Sequence, residues 1–184
     1  GPGAGAPHDR RGRDPGPPRK GGQRFAARGG IGEGVGVALD TRSSAPGIVF
    51  GTFSMPTSLF GSVHTGALHG GALDPTNILS MLAGARSKGG RFVIKLSKGR
   101  DDFVQNADGT FSLTKWKALV DRFRSVNLGP YIADGTILGH YLIDEPHRSA
   151  KWGGKAISQA TIEAMAKYSK QIWPGMTTMV RVVP

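Results

Sequence analysis

The sequence predicts an α/β fold: about four parallel strands with intervening helices, the first half of a (β/α)8 barrel, preceded by a disordered tail. Three observations predict it. Short apolar runs begin near residues 48, 91, 137 and 177, a spacing of roughly 40 residues that suits strand–helix units. Amphipathic segments fill the gaps between them. The alternation calls for parallel strands joined by right-handed crossovers. A full barrel of this kind takes about 250 residues, so residues 48–184 supply about half, ending after a fourth strand. A small open doubly wound sheet is the second choice, but four strands without a closing helix leave the last one poorly covered.

Residues 1–47 differ in kind. Arg10-Arg11-Gly12-Arg13, Pro15-Gly16-Pro17-Pro18 and Arg28-Gly29-Gly30 typify them. Large apolar residues are too few to offset the entropy of ordering, so a disordered tail is expected, closing on a linker near Ser43-Ser44-Ala45-Pro46. From Gly47 onward Ile48-Val49-Phe50-Gly51-Thr52-Phe53 reads as the first strand, and 54–73 as a long loop holding His64 and His69. Asp74-Pro75 caps a helix with Ile78, Met81, Leu82 and Ala85 at helical spacing, ended by Gly89-Gly90. Residues 91–97 form the second strand. Asn106-Ala107-Asp108-Gly109 is a turn, and Ser112 caps a helix with Trp116, Leu119, Val120 and Phe123 on one stripe. Tyr131-Ile132-Ala133 adds a short turn, and Ile137 to Asp144 is the third strand. Ser158 or Thr161 opens the next helix, Trp173-Pro174-Gly175 stops it, and residues 177–183 are the fourth strand.

Net charge is +11, shared between the tail and the folded part. It favours anionic partners without specifying a fold. There is no Cys, which excludes disulfides and thiolate metal sites. No apolar run is long enough for a transmembrane helix. The tail has a single Arg-Gly-Gly and almost no interleaved aromatics, so nucleic-acid binding through it is a minor alternative. Gly30-Ile31-Gly32-Glu33-Gly34-Val35 lacks the third glycine of a dinucleotide fingerprint, and Gly90 stands where a phosphate loop needs Lys. No cofactor is implied.

Function concentrates at Gly139-His140-Tyr141-Leu142-Ile143-Asp144-Glu145-Pro146. Acids at the carboxyl end of a buried strand cost desolvation energy, and α/β barrels do their chemistry at that end. Glu145 is the candidate catalytic acid. Strand alternation puts it on the axis side with Tyr141 and Ile143, leaving His140, Leu142 and Asp144 toward the helices. Asp144 then holds the loop by hydrogen bonds or contacts substrate. Lys95 and Arg181, near the tops of flanking strands, are placed to hydrogen-bond Glu145 or a substrate hydroxyl. His64 and His69 in the long loop and His147 at the rim are candidate substrate contacts; no third ligand at metal spacing accompanies the two loop histidines, so no metal is expected. Trp152 follows on a Gly-rich loop, placed either to stack on a sugar ring or to anchor the loop by packing. Arg148 and Lys151 read as a solvated loop face.

The Gly139–Pro146 run resembles the acid-bearing strand of retaining glycosidase barrels, whose usual ending is Asn-Glu-Pro. It is similar also to glycosidase-like barrel domains of uncharacterised bacterial exported proteins, which end in Asp-Glu-Pro. The resemblance covers at most residues 48–184. It implies a TIM barrel, a carbohydrate substrate, Glu145 as proton donor in glycoside hydrolysis, and export from a bacterial cell. Asp144 stands where the Asn binds a sugar hydroxyl. Glu145 follows the third strand by this count, whereas the better-known barrels carry the acid after the fourth. The second carboxyl group that hydrolysis needs comes in related barrels from a later strand, so the 184-residue chain is expected to be inactive alone. A non-catalytic carbohydrate-binding or surface protein on the same scaffold is the alternative.

Overall fold

The computed structural model describes residue 1, residues 48–69 (backbone only at 69) and residues 73–183. The tail predicted for 1–47 otherwise lies outside the described residues. The described part is α/β. Strands β1 (Gly66–His69), β2 (Arg91–Ile94), β3 (Ile137–Asp144) and β4 (Thr178–Arg181) form one sheet in the order β1-β2-β3-β4. Every neighbouring pair is parallel. Helices α1 (Ile78–Arg86), α2 (Leu113–Asp121), α3 (Gly129–Ala133) and α4 (Gln159–Ile172) lie in the connections.

Local chemistry accounts for some boundaries. Gly89 ends the turn after α1 at φ +68, a left-handed conformation that a side chain resists. The Ser158 hydroxyl accepts from the Thr161 amide at 3.2 Å and caps α4. Ser158→Ala is therefore expected to cost about 1 kcal/mol of unfolding free energy by urea titration; a loss below a few tenths would show the cap to be idle.

The first strand is where expectation and structure part. Residues 48–53 do not form a full ladder strand; they contribute a parallel bridge, Phe53 to Leu68. The Gly66 amide donates to the Phe50 carbonyl at 3.1 Å and the Ser54 amide to the Leu68 carbonyl at 2.8 Å. The ladder strand β1 lies inside the segment read as loop. Gly66 and Ala67 have low strand propensity, which hid it. The glycines are there for clearance: a Cβ on Gly51 would overlap the Gly66 carbonyl. Counting residues 48–53 as an edge segment, β3 becomes the fourth parallel segment and not the third.

The order never reverses, unlike the doubly wound alternative, whose strand order turns back at a switch point. Helices α2 and α4 cover the face bearing His140. Its ring stacks on Trp116 at 5.7 Å, meets Trp173 edge-on at 6.2 Å and hydrogen-bonds the Ser169 hydroxyl at 2.8 Å. Burial alone pushes this imidazole down to about 3, so it is neutral and structural. Leu68, Val93 and Leu138 line a shallow groove with Val49 and Phe53. No helix among the described residues is long and apolar enough to cross a membrane.

Candidate functional site

The site forms at the carboxyl ends of β2 and β3 because a register shift re-aims one acid. Tyr141 pairs with Met179 and Asp144 with Arg181, so β3 spends one more residue than β4 between these pairs. Such a bulge breaks the simple alternation. Asp144 thereby comes to the side of Tyr141, whose hydroxyl donates to its Oδ1 at 2.6 Å. The helix-facing placement expected for Asp144 is corrected on this ground. His140 keeps its expected place toward the helices.

Glu145 follows directly, with φ +47. A non-glycine residue in this region costs of order 1 kcal/mol, and such strain collects at functional sites. Four contacts hold it. Its amide donates to the Arg181 carbonyl at 3.0 Å. Its carbonyl accepts from the Trp152 indole at 3.0 Å and the Arg148 amide at 3.1 Å. Its Oε1 accepts from the Arg148 guanidinium at 2.9 Å.

Lys151 joins the acids. Its Nζ lies 2.9 Å from Asp101 Oδ2, 2.9 Å from Asp144 Oδ2 and 3.5 Å from Glu145 Oε2. A solvated position for Lys151 is thus corrected: it sits at the centre of three carboxylates. Asp101, in the 3-10 turn Asp101–Val104 after β2, also faces Lys95 Nζ at 3.6 Å. Lys95 is 4% exposed and lies over the Tyr141 ring at 5.9 Å. It reaches the cluster through Asp101, and its contacts do not include Glu145. Arg181 Nη1 stands 3.7 Å from Asp144 Oδ1.

Titration follows from these partners. The Arg148 hydrogen bond holds the Glu145 carboxyl below its ordinary value. Burial would raise Asp144, but Tyr141, Lys151 and Arg181 together outweigh it and hold it down. Burial likewise works to discharge Lys151, and the acids overcome it, raising its pKa. For Lys95 burial wins over Asp101, and its pKa is lowered. Burial, then the Asp144 carboxylate, pushes the Tyr141 hydroxyl up, so it stays a donor. The arrangement is a contiguous set of acidic and basic side chains in which Asp144 and Glu145 share one ammonium.

The other sequence candidates fall elsewhere. Trp152 is 0% exposed, meets Phe111 edge-on at 5.8 Å and anchors the loop, so it offers no face for a sugar. His64 precedes β1, at the amino end of the sheet, where its half-buried ring stacks on Phe50 at 5.8 Å. It is not at the acids. The side chain of His69 lies outside the described residues. His147 is exposed, two residues beyond Glu145. Asp101 and Lys151 were missed. A polar run directly after a strand, Lys98-Gly99-Arg100-Asp101-Asp102, was the available signal for Asp101; nothing local marked Lys151. A separate cleft of about 630 Å3, lined by Arg124, Val126, Leu128, Ile132, Ile172 and Trp173 among others, contains none of these charged residues.

Comparison with family models, with curated proteins and with solved structures gives no significant match for this chain.

Proposed function

We propose that residues 48–184 are the first part of a glycosidase-like TIM barrel acting on carbohydrate, with Glu145 and Asp144 as the acids of its site. One observation carries the reading: two adjacent ionised carboxylates stand at the carboxyl end of the buried strand β3, one of them in a strained backbone conformation. Strand ends of this kind hold the chemistry of α/β barrels. The unreversed strand order supports it, since sequential right-handed units place their helices on one face and leave the other for closure. Counting the edge segment 48–53 also puts Glu145 after the fourth parallel segment, where the better-known glycosidase barrels carry their acid.

Ionised carboxylates accept hydrogen bonds from sugar hydroxyls. The expected test is retention on an oligosaccharide array, reduced at least about tenfold in the Asp144→Asn/Glu145→Gln double variant, as for loss of charged hydrogen bonds. No retention of any glycan would remove the reading.

Proton donation to a leaving oxygen asks for a carboxyl whose pKa is raised. Among the described residues every carboxyl with a displaced titration is displaced downward: Asp74, Asp108, Asp121, Asp134, Asp144 and Glu145. The 184-residue chain is therefore expected to release no nitrophenol from aryl glycosides. Turnover that disappears in Glu145→Gln would contradict this and assign the acid. The same ionisation favours a second reading, carbohydrate binding without hydrolysis, which the array and the nitrophenol assay separate.

A further inference from the structure

The charges at the mouth do not balance, and neither do the hydrogen bonds. Four cations (Lys95, Arg148, Lys151 and Arg181) meet three carboxylates (Asp101, Asp144 and Glu145) in one contiguous set. Lys151 is fully used. The other three cations are not. Arg148 spends one nitrogen on Glu145 and its side chain is 58% exposed. Arg181 comes no closer than 3.7 Å to Asp144, and its side chain is 51% exposed. Lys95 is buried, and beside its 3.6 Å pairing with Asp101 its ammonium makes one long hydrogen bond, 3.4 Å to the Gly99 carbonyl. Beside it in sequence, the Ser97 hydroxyl is buried, 1% exposed, and has no hydrogen-bond partner. Buried polar groups left short of partners are uncommon and ask for an explanation.

Each of the two arginines reaches one member of the acid pair. The Arg181 backbone carbonyl takes the Glu145 amide, while its side chain approaches Asp144; Arg148 holds Glu145 from the loop. A guanidinium fork matches a carboxylate with two parallel hydrogen bonds, and it discriminates by shape as well as charge. A neutral sugar would leave these donors and the surplus charge unmet. An acidic one would meet both.

We infer that the site takes an acidic carbohydrate, a uronic-acid residue whose carboxylate is received by Arg148 and Arg181, in the charge cluster that Lys95 joins through Asp101. This rests on the carbohydrate reading and narrows it to a substrate class. It also gives Arg148 a second part to play. Drawn onto the ligand carboxylate, it would release Glu145 Oε1 from its hydrogen bond, leaving that oxygen to accept from a sugar hydroxyl.

The test is calorimetric titration of the full chain with galacturonate, mannuronate and glucuronate trimers, beside the neutral galactose, mannose and glucose trimers. At least one uronate trimer should bind about tenfold or more tightly than its neutral counterpart, and Arg148→Gln/Arg181→Gln should remove that preference. Lys167→Gln/Lys170→Gln, which takes the same charge from exposed positions on α4, should not. Arg181→Gln alone, an exposed change checked by circular dichroism, keeps the test open if the double variant misfolds. Equal binding of acidic and neutral trimers would overturn the inference and leave the carbohydrate reading standing. An equal loss in the charge-matched pair would also overturn it, by showing diffuse attraction. If no trimer of either kind binds, both fall.

Discussion

Trp116→Ala is expected to lower the unfolding free energy by about 4 kcal/mol, the largest single effect in this domain. The side chain is fully buried in α2 against the sheet. Its ring stacks on His140 at 5.7 Å with the planes 16° apart, and meets Tyr168 of α4 at 6.3 Å. Its indole donates to the Leu142 carbonyl at 2.9 Å. Truncation thus opens a cavity where α2, α4 and β3 meet and takes a partner from a buried carbonyl, two costs that add. Leu142 lies between Tyr141 and Asp144, in the stretch where β3 slips register against β4, so the damage should reach the site. Trp116→Phe keeps most of the packing and loses the N–H; about half the loss is expected. Urea unfolding followed by far-UV circular dichroism measures both. A Trp116→Ala loss under about 1.5 kcal/mol would show that the stack carries little of the stability.

How much of this could be read from the sequence depends on whether the cause was local. Strand β3 was legible because an eight-residue apolar run carries its own signal, and α4 because Ser158 opens it and Trp173-Pro174-Gly175 closes it. The parallel order followed from alternation. Strand β1 was hidden because close backbone approach requires glycine at 51 and 66, and glycine carries no strand signal. The side of Asp144 was misjudged for a different reason. Alternation holds only while two strands advance together, and the slip between Tyr141 and Asp144 is set by pairing with β4, which follows α4 in the chain. Glu145 at the strand end was visible; what holds it was not. For Trp152 the sequence left two roles open, a sugar-stacking face and a packing anchor; the left-handed Gly153 and Gly154 let the loop fold its indole inward onto the Glu145 carbonyl, the second of these.

Lys151 has both local and distant partners, and its removal is the second large effect expected. Asp144 and Glu145 precede it on the same strand end, while Asp101 comes from the loop after β2 and meets it only through tertiary structure. Lys151→Met keeps the length of the chain and removes the ammonium. The carboxylates of Asp101 and Asp144 then lose the charge they share in a site where Lys151 is only 20% exposed. Breaking a largely buried pair by removing one partner costs several kcal/mol, and partial exposure trims this to about 2 kcal/mol at pH 7. The pH dependence identifies the cause. Asp144 has a folded pKa below its ordinary 3.8, so its pairing stabilises the fold above that value and is lost as pH falls through the lower, folded value. Lys151 stays charged throughout. The gap between wild type and Lys151→Met should therefore be widest at neutral pH and shrink from about pH 4 downward, as Asp144 takes up its proton first in the variant and then, at the lower folded value, in the wild type. Carbon NMR of the Asp144 carboxyl should show its titration moving up in the variant, and Lys151→Arg should restore most of the stability by keeping the charge. A gap of the same size at pH 3 and pH 7 would mean that Lys151 contributes through packing, and the three carboxylates would need another explanation for lying so close together.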